Sequence, residues 1–211
     1  MSEADFAAVA APRTRVLRPY SGEREFALIG TGLTALAGVS VSLAVLLADS
    51  GSIAWTSTNA AMLIVVVVMG NIVGYVSICV WMQATRTRLT AAGYDAPPTW
   101  KIWLGWLIPF YAIVAPYQVM RALRERTTSP QAALMLTWWL GWLVYLVCDR
   151  AYGAIPTAGP TTYGVLAIGT VALIASYAAL VRLIMTISAS LQPRNWAQTA
   201  ASTSTTEPAG A

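Results

Sequence analysis

The chain has 211 residues, of which 57% are hydrophobic and 10% charged, with 13 Lys plus Arg against 9 Asp plus Glu and a net charge of +4. A soluble domain carries about 25% charged residues, so the composition excludes one, and the long charge-free runs between the basic residues describe a single multi-pass membrane unit. With no His and only two isolated Cys, most metal, haem and nucleophile constellations are excluded as well.

In chain order, residues 1–25 hold Glu3, Asp5, Arg13, Arg15, Arg18 and Arg24, and Pro12 and Pro19 discourage a long helix there. This reads as a short cytoplasmic arm rather than a signal peptide, because the apolar run that follows, 26–48, is too long for a cleavable core. At ~1.5 Å per residue that run covers about 34 Å, more than a hydrocarbon core of about 30 Å. Residues 49–59 form a polar turn, with Trp55 placed as an interfacial anchor. The second run, 60–84, contains Ile64-Val65-Val66-Val67-Val68. In water that stretch suggests a strand, but its length and lack of turn residues predict a spanning helix in lipid.

Residues 85–101 read as a loop punctuated by Gly93, Pro97 and Pro98. The next run, 102–120, is long enough to cross but is interrupted by Pro109 and Pro116, each of which frees a backbone carbonyl that needs another partner in lipid. A kinked span, a re-entrant hairpin and an interfacial helix pair all fit. Two further runs, 132–148 and 163–187, are separated by a turn containing Pro156, Gly159 and Pro160. From 188 to 211 the chain is rich in Ser, Thr, Ala and Pro, which predicts a disordered cytoplasmic tail.

Charge asymmetry decides the doubtful run. If 102–120 returns to its own side, Arg13, Arg15, Arg18, Arg24, Arg86, Arg88, Lys101, Arg121, Arg124, Arg126, Arg182 and Arg194 share one side and Arg150 alone lies on the other, a division of 12 to 1. If it crosses, the division is 8 to 5. The positive-inside bias selects the first arrangement, with both termini cytoplasmic. The expected fold is therefore an all-α integral membrane protein, with four transmembrane helices plus a proline-broken re-entrant or interfacial segment over residues 102–120.

No charge-free core contains Asp, Glu, His or Lys, the usual marks of proton relays and ion pathways. Intramembrane hydrolysis would need a paired nucleophile, two buried acids or zinc ligands, so a non-enzyme without metal or cofactor is expected. Arg182 lies close enough to the end of its run to snorkel to the interface. Asn71, between Gly70 and Gly74 in mid-span, predicts an interhelical hydrogen bond beside a small-residue contact, with a substrate contact as the sharper alternative. Gly38 and Ser42, and Ala172 and Ser176, offer similar close-packing faces. Cys79 and Cys148 fall near opposite ends of the spans, so no disulfide joins them. Asp49, Asp149 and Arg150 share one surface and predict a solvated ion pair. The pentapeptide WLGWL occurs at 103–107 and again at 139–143. On a helix Trp103, Trp106 and Phe110 share a face, as do Trp138, Trp142 and Tyr145. These faces predict packing surfaces, with a groove for lipid or another apolar ligand as the alternative.

The stretch from Trp81 to Arg126 resembles the core of the bacterial, largely actinobacterial membrane proteins known as domain of unknown function 4328. The residues that carry the resemblance are Trp81, then Trp103, Gly105, Trp106 and Pro109, then Pro116-Tyr117-Gln118-Val119-Met120, with Trp138, Trp139 and Trp142 further on. That family usually places an Asn shortly after the first proline and another in the preceding loop, where this chain has Phe110-Tyr111-Ala112 and Arg86-Thr87-Arg88. The resemblance implies a multi-pass inner-membrane protein of the bacterial plasma membrane and no particular reaction.

The expected function is a non-catalytic membrane protein that binds a partner protein or lipid. The alternative is a small oligomeric transporter or channel, with a path lined by Asn71 and Ser77, and a lipid-acting enzyme is the weakest reading. Arg86, Arg88, Lys101, Arg121, Arg124 and Arg126 against Asp95 and Glu125 leave a local charge of +4 on the flanks of the proline segment. Trp100, Trp103, Trp106, Arg121, Arg124 and Arg126 are therefore the candidate binding residues for anionic lipid or an acidic partner, each basic residue near such a surface being worth about 1 kcal/mol. Membrane lipids are the expected partners, a membrane protein or a second copy of the chain the other options, and nucleic acid is not expected.

Overall fold

A computed structural model of the chain describes residues 21–54, 56–108, 110–125, 132–155 and 159–191. Residues 1–20 of the expected arm, Trp55, Pro109, Arg126, Pro156, and residues 192–211 of the expected tail lie outside the described residues, whereas residues 21–25 of the arm and 188–190 of the tail are helical, because the helices continue past the charge-free runs. Six helices follow in order: α1 (Ser21–Asp49), α2 (Ser57–Ala91), α3 (Thr99–Leu104), α4 (Tyr111–Glu125), α5 (Ala132–Ala154) and α6 (Pro160–Ser190). There is no strand among the described residues, and the valine run at 64–68 is helical throughout. α1, α2, α5 and α6 are each long and apolar enough to cross a membrane. Helix is the one open structure that satisfies every backbone polar group within its own segment in lipid.

The helices overrun the charge-free runs. Thr85, Arg86 and Arg88, expected in a loop, instead form the last turns of α2, and the loop is only residues 92–98. Arginine supports a helix as well as leucine does, so a charge marks where lipid ends rather than where the helix ends. The actual stop is Gly93, whose φ of 84° suits only a residue without a side chain, followed by the Tyr94 N–H donating to the Leu89 carbonyl at 3.0 Å. Arg86 ties the loop down by donating to the Pro97 carbonyl at 2.8 Å, and Arg88, only 8% exposed, lies 3.8 Å from Glu23 on α1.

α1 and α2 form one antiparallel hairpin, α5 and α6 a second, and α1 packs on α6 to join them. Close approach within each hairpin depends on small residues. A Cβ on Gly74 would collide with the Thr34 hydroxyl, one on Gly30 with the Ser77 hydroxyl, and one on Gly141 would lie 2.8 Å from the Ala172 carbonyl oxygen. The expected small-residue faces thus meet as pairs: Gly38 lies against Leu173, Thr170 donates to Ser42 at 2.8 Å, and Ser176 donates to the Trp138 carbonyl at 2.7 Å. α2 and α5 do not pack on each other, because α3 and α4 are inserted between them.

That insertion sits at the end of the bundle where α2 ends and α5 begins, here called the basal end. Trp81, Met82, Ile102, Met120 and Ile184 are fully buried there, and the Trp81 indole donates to the Ser188 hydroxyl at 3.0 Å. At the other, distal end α2 buries nothing before Gly74. The bundle is therefore closed basally and splayed distally. Because Thr34 is held by its bonds to the Gly30 and Gly70 carbonyls at 3.0 and 2.9 Å, it cannot turn away from a side chain at residue 74. Gly74→Val is expected to destabilise the protein by about 1–3 kcal/mol, whereas Gly164→Ala, with open space around it, should not. Thermal unfolding of the two variants in one detergent measures the difference.

Candidate functional site

The proline segment is a re-entrant hairpin. α3 enters the bundle from the basal end, the chain reverses between Leu104 and Tyr111, and α4 leads back. The tip carries Trp106 beside Trp142, which is ten residues along α5 from Ala132, about 15 Å from the basal end. Its outer side exposes Leu107, Ile108, Ile113 and Val114, together with Phe110 at 88%. Such a surface suits lipid and not water. Phe110 also holds a φ of 60°, a left-handed conformation uncommon outside glycine, at the point where the chain reverses.

A broken helix in lipid needs outside partners for its backbone, and three side chains supply them. The Tyr75 hydroxyl donates to the Trp103 carbonyl, the Cys79 thiol to the Ile102 carbonyl at 3.3 Å, and the Trp139 indole to the Ile113 carbonyl at 2.9 Å. The carbonyls at the end of α3 and near the start of α4 thus meet protein groups from α2 on one side and α5 on the other, although none of these three is the carbonyl four residues before Pro109 or Pro116 expected to need a partner. Pro116 does not break the chain, contrary to its expected role, and lies inside continuous α4. The break falls between Leu104 and Tyr111, where Gly105 packs 2.9 Å (by its absent Cβ) from Ala115.

The structure separates the expected binding residues. Trp103, Trp106 and Phe110 do not share a helix face, since α3 ends at Leu104. Trp100 alone of the three tryptophans is exposed at the basal end, stacked on Tyr111 at 6.1 Å with Lys101 beside it. Trp103 is half-buried edge-on to Tyr75, and Trp106 is half-buried against Trp138 and Trp142, each ring pair 6.4 Å apart. Arg121 is exposed and lies 2.6 Å from Glu125, whose hydrogen bond and charge raise the guanidinium pKa further. Arg124 is half-buried one turn on, and Arg126 lies outside the described residues.

Above the tip lies a cavity of about 300 Å³ walled by all four long helices. Thr31 and Thr34 come from α1, Asn71 and Tyr75 from α2, Trp138 and Trp142 from α5, and Ser176 and Tyr177 from α6, with Trp106 and Leu107 as its floor. Helical spacing explains each pair: residues three or four apart face the same way. The cavity sits near mid-span, and it opens where α2 and α5 face each other, since Asn71 and Leu107 are both lining and exposed. No charged residue lines it.

Asn71 does not form the expected interhelical bond. Its amide donates to the Val67 carbonyl of its own helix at 2.8 Å, because the α2 face it occupies meets the cavity rather than a neighbouring helix. No ion pair joins Asp49, Asp149 and Arg150 among the described residues, as each is exposed and solvated separately. Cys79 and Cys148 are both free, and Arg182 is exposed. Sequence reasoning missed Thr31, Thr34, Tyr75 and Tyr177. Tyr75, four residues after Asn71 on the same face, was legible by spacing; the threonines were not, because their role depends on which helix α1 meets.

The fold and site define a helical membrane protein in which two helical hairpins hold a re-entrant segment and a laterally open cavity. The model of the family described as Domain of unknown function (DUF4328) matches residues 34–192, most of the chain and nearly all of this architecture, and the chain belongs to that family. No curated protein and no solved structure matches the chain.

Removing the two outer supports should loosen the hairpin without unfolding the bundle. Tyr75→Phe combined with Trp139→Phe deletes two hydrogen bonds, each worth about 1 kcal/mol. Amide hydrogen exchange at Gly105, Leu107 and Ile108 is expected to speed up by about tenfold or more, while exchange in the middle of α6 stays unchanged.

Proposed function

We propose that the protein is a non-catalytic component of the bacterial plasma membrane, with both termini cytoplasmic, that binds membrane lipid through the re-entrant hairpin and the surfaces around it. The observation that carries this reading is the pairing of an exposed apolar tip and lateral cavity with a basic basal end. Lysine and arginine at Lys101, Arg121 and Arg124 flank the hairpin where headgroups would lie, and Trp100 is exposed beside them. A protein built to exclude lipid has no need of a mid-span opening between two helices. The cavity lining holds no carboxylate, lysine or arginine to serve as acid, base or charge stabiliser, which weighs against catalysis. The fully buried Trp81, Met82 and Ile102 below the cavity weigh against an aqueous path through one copy.

Two measurements test the reading. In a background with Cys79 and Cys148 replaced by Ser, a cysteine at Ser57 should react with an impermeant maleimide from outside intact cells, and one at Asp95 only after permeabilisation. Reaction of both from outside overturns the topology. Phosphatidylglycerol retained through detergent purification, read by native mass spectrometry, should fall in Arg121→Gln/Arg124→Gln, and its dependence on salt should weaken. Unchanged retention and salt dependence in a folded variant would leave the basic end as a topological signal only.

A further inference from the structure

The cavity indicates which part of a lipid it is made for. Its lining has no charge, so a phosphate or ammonium headgroup would enter it with nothing to balance its own charge, and burying an unpaired ion is the most unfavourable of the polar transfers. Its depth adds a second restriction. The ester carbonyls of a phospholipid stay with their headgroup at the interface, whereas this cavity lies near mid-span, so the ligand's polar part must itself dissolve in the membrane interior.

The walls carry donors in search of acceptors. Trp81 and Trp139 both donate their indole N–H groups to oxygens of the protein. Trp106, Trp138 and Trp142 line the cavity, and among the described residues none of their N–H groups donates a hydrogen bond, although Trp138 is only 4% exposed. Indoles withdrawn from water usually find a partner, and three that line one cavity, Trp138 buried and Trp106 and Trp142 half-buried, without a protein acceptor offer a site for a ligand with acceptor oxygens. The Trp106 ring meets those of Trp138 and Trp142 at 57° and 72°, which gives the cavity angled aromatic walls suited to edge and offset contacts with a flat ring. A volume of about 300 Å³ is at the small end of ligand pockets, enough for a head but not for a long tail. The opening between α2 and α5, beside exposed Leu107, leaves the tail in lipid.

We propose that this cavity binds the planar, uncharged head of a membrane-dissolved quinone, whose carbonyl oxygens accept from the indole N–H groups of Trp106, Trp138 and Trp142 while its tail leaves between α2 and α5. This rests on the lipid-binding reading of the cavity and is independent of the basic end.

The test is equilibrium binding of a radiolabelled benzoquinone with an isoprenoid tail to the purified full chain in detergent, with diacylglycerol and phosphatidylglycerol as competitors. Saturable binding of one quinone per chain is expected, with neither competitor displacing it. Trp142→Phe should weaken it by about tenfold, the effect of losing a buried hydrogen bond. Asn71→Phe, which places bulk at the exposed mouth without entering the core, should abolish it, and Gly164→Ala, in open space away from the cavity, should leave it unchanged. Absence of saturable binding in the wild type overturns the proposal, as does equal affinity in the Trp142→Phe and Asn71→Phe variants. Displacement by diacylglycerol also overturns it, by showing that the cavity takes acyl chains or esters rather than a quinone. If quinone binding fails while phosphatidylglycerol retention still depends on Arg121 and Arg124, only this inference falls and the lipid-binding reading stands.

Discussion

Lipid offers no hydrogen bonds, and a chain that breaks its helix there must find them within the protein. The rest of this structure depends on how the break between Leu104 and Tyr111 is supported. Tyr75 and Cys79, one turn apart on α2, hold the carbonyls at the end of α3, and Trp139 on α5 holds the Ile113 carbonyl near the start of α4. Each bond on its own is modest, since polar contacts between membrane helices average about 0.6 kcal/mol. The alternative is a bare carbonyl in hydrocarbon at several kcal/mol. The hairpin is therefore fixed less by attraction than by the absence of any other acceptable place for its backbone.

Supporting the hairpin from two sides has an architectural consequence. α2 and α5 must stand far enough apart to admit it, so the two helical hairpins meet mainly through α1 and α6, with the Trp81–Ser188 hydrogen bond joining α2 to α6 at the basal end. That seam is kept close where Gly38 lies against Leu173, and glycine plays the same part within the first hairpin. Thr34 and Ser77 fill the spaces over Gly74 and Gly30, and their hydroxyls return to backbone carbonyls of the helices themselves. The basal half is then packed with large side chains, while above the tip nothing replaces the inserted segment. A cavity is the geometric remainder of wedging a short hairpin between two long helices.

The chemistry of that remainder follows from its position. Groups facing a neighbouring helix in mid-span are satisfied locally, as with Ser176 on the Trp138 carbonyl or Thr170 on Ser42. Where the cavity leaves a group without such a neighbour the outcome differs, so Asn71 turns back on its own helix and, among the described residues, the indole N–H groups of Trp106, Trp138 and Trp142 donate to no protein oxygen. Leu107 of the exposed apolar tip lies at the mouth of the same space. Stability and a place for a ligand thus arise from one compromise, in which the segment that closes the basal end also keeps the middle open.

Much of the fold was legible from residue order alone. Charge-free runs gave the four spanning helices because length in lipid overrides local propensity, so even Ile64 to Val68 had only one outcome. The 12 to 1 division of basic residues already argued that residues 102–120 turn back. What residue order left open was decided in three dimensions. Whether the proline segment lies on the membrane or dips into it depended on Tyr75, Cys79 and Trp139, none of them adjacent to it in sequence. Periodicity placed Trp138 and Trp142 on one face but extended the face of Trp103 past the true end of α3, so Trp106 joined the other two tryptophans instead of Trp100. Asn71 was visible as an anomaly, yet its lack of a partner was not, because spacing along one helix reports which residues look the same way and only packing decides what they look at.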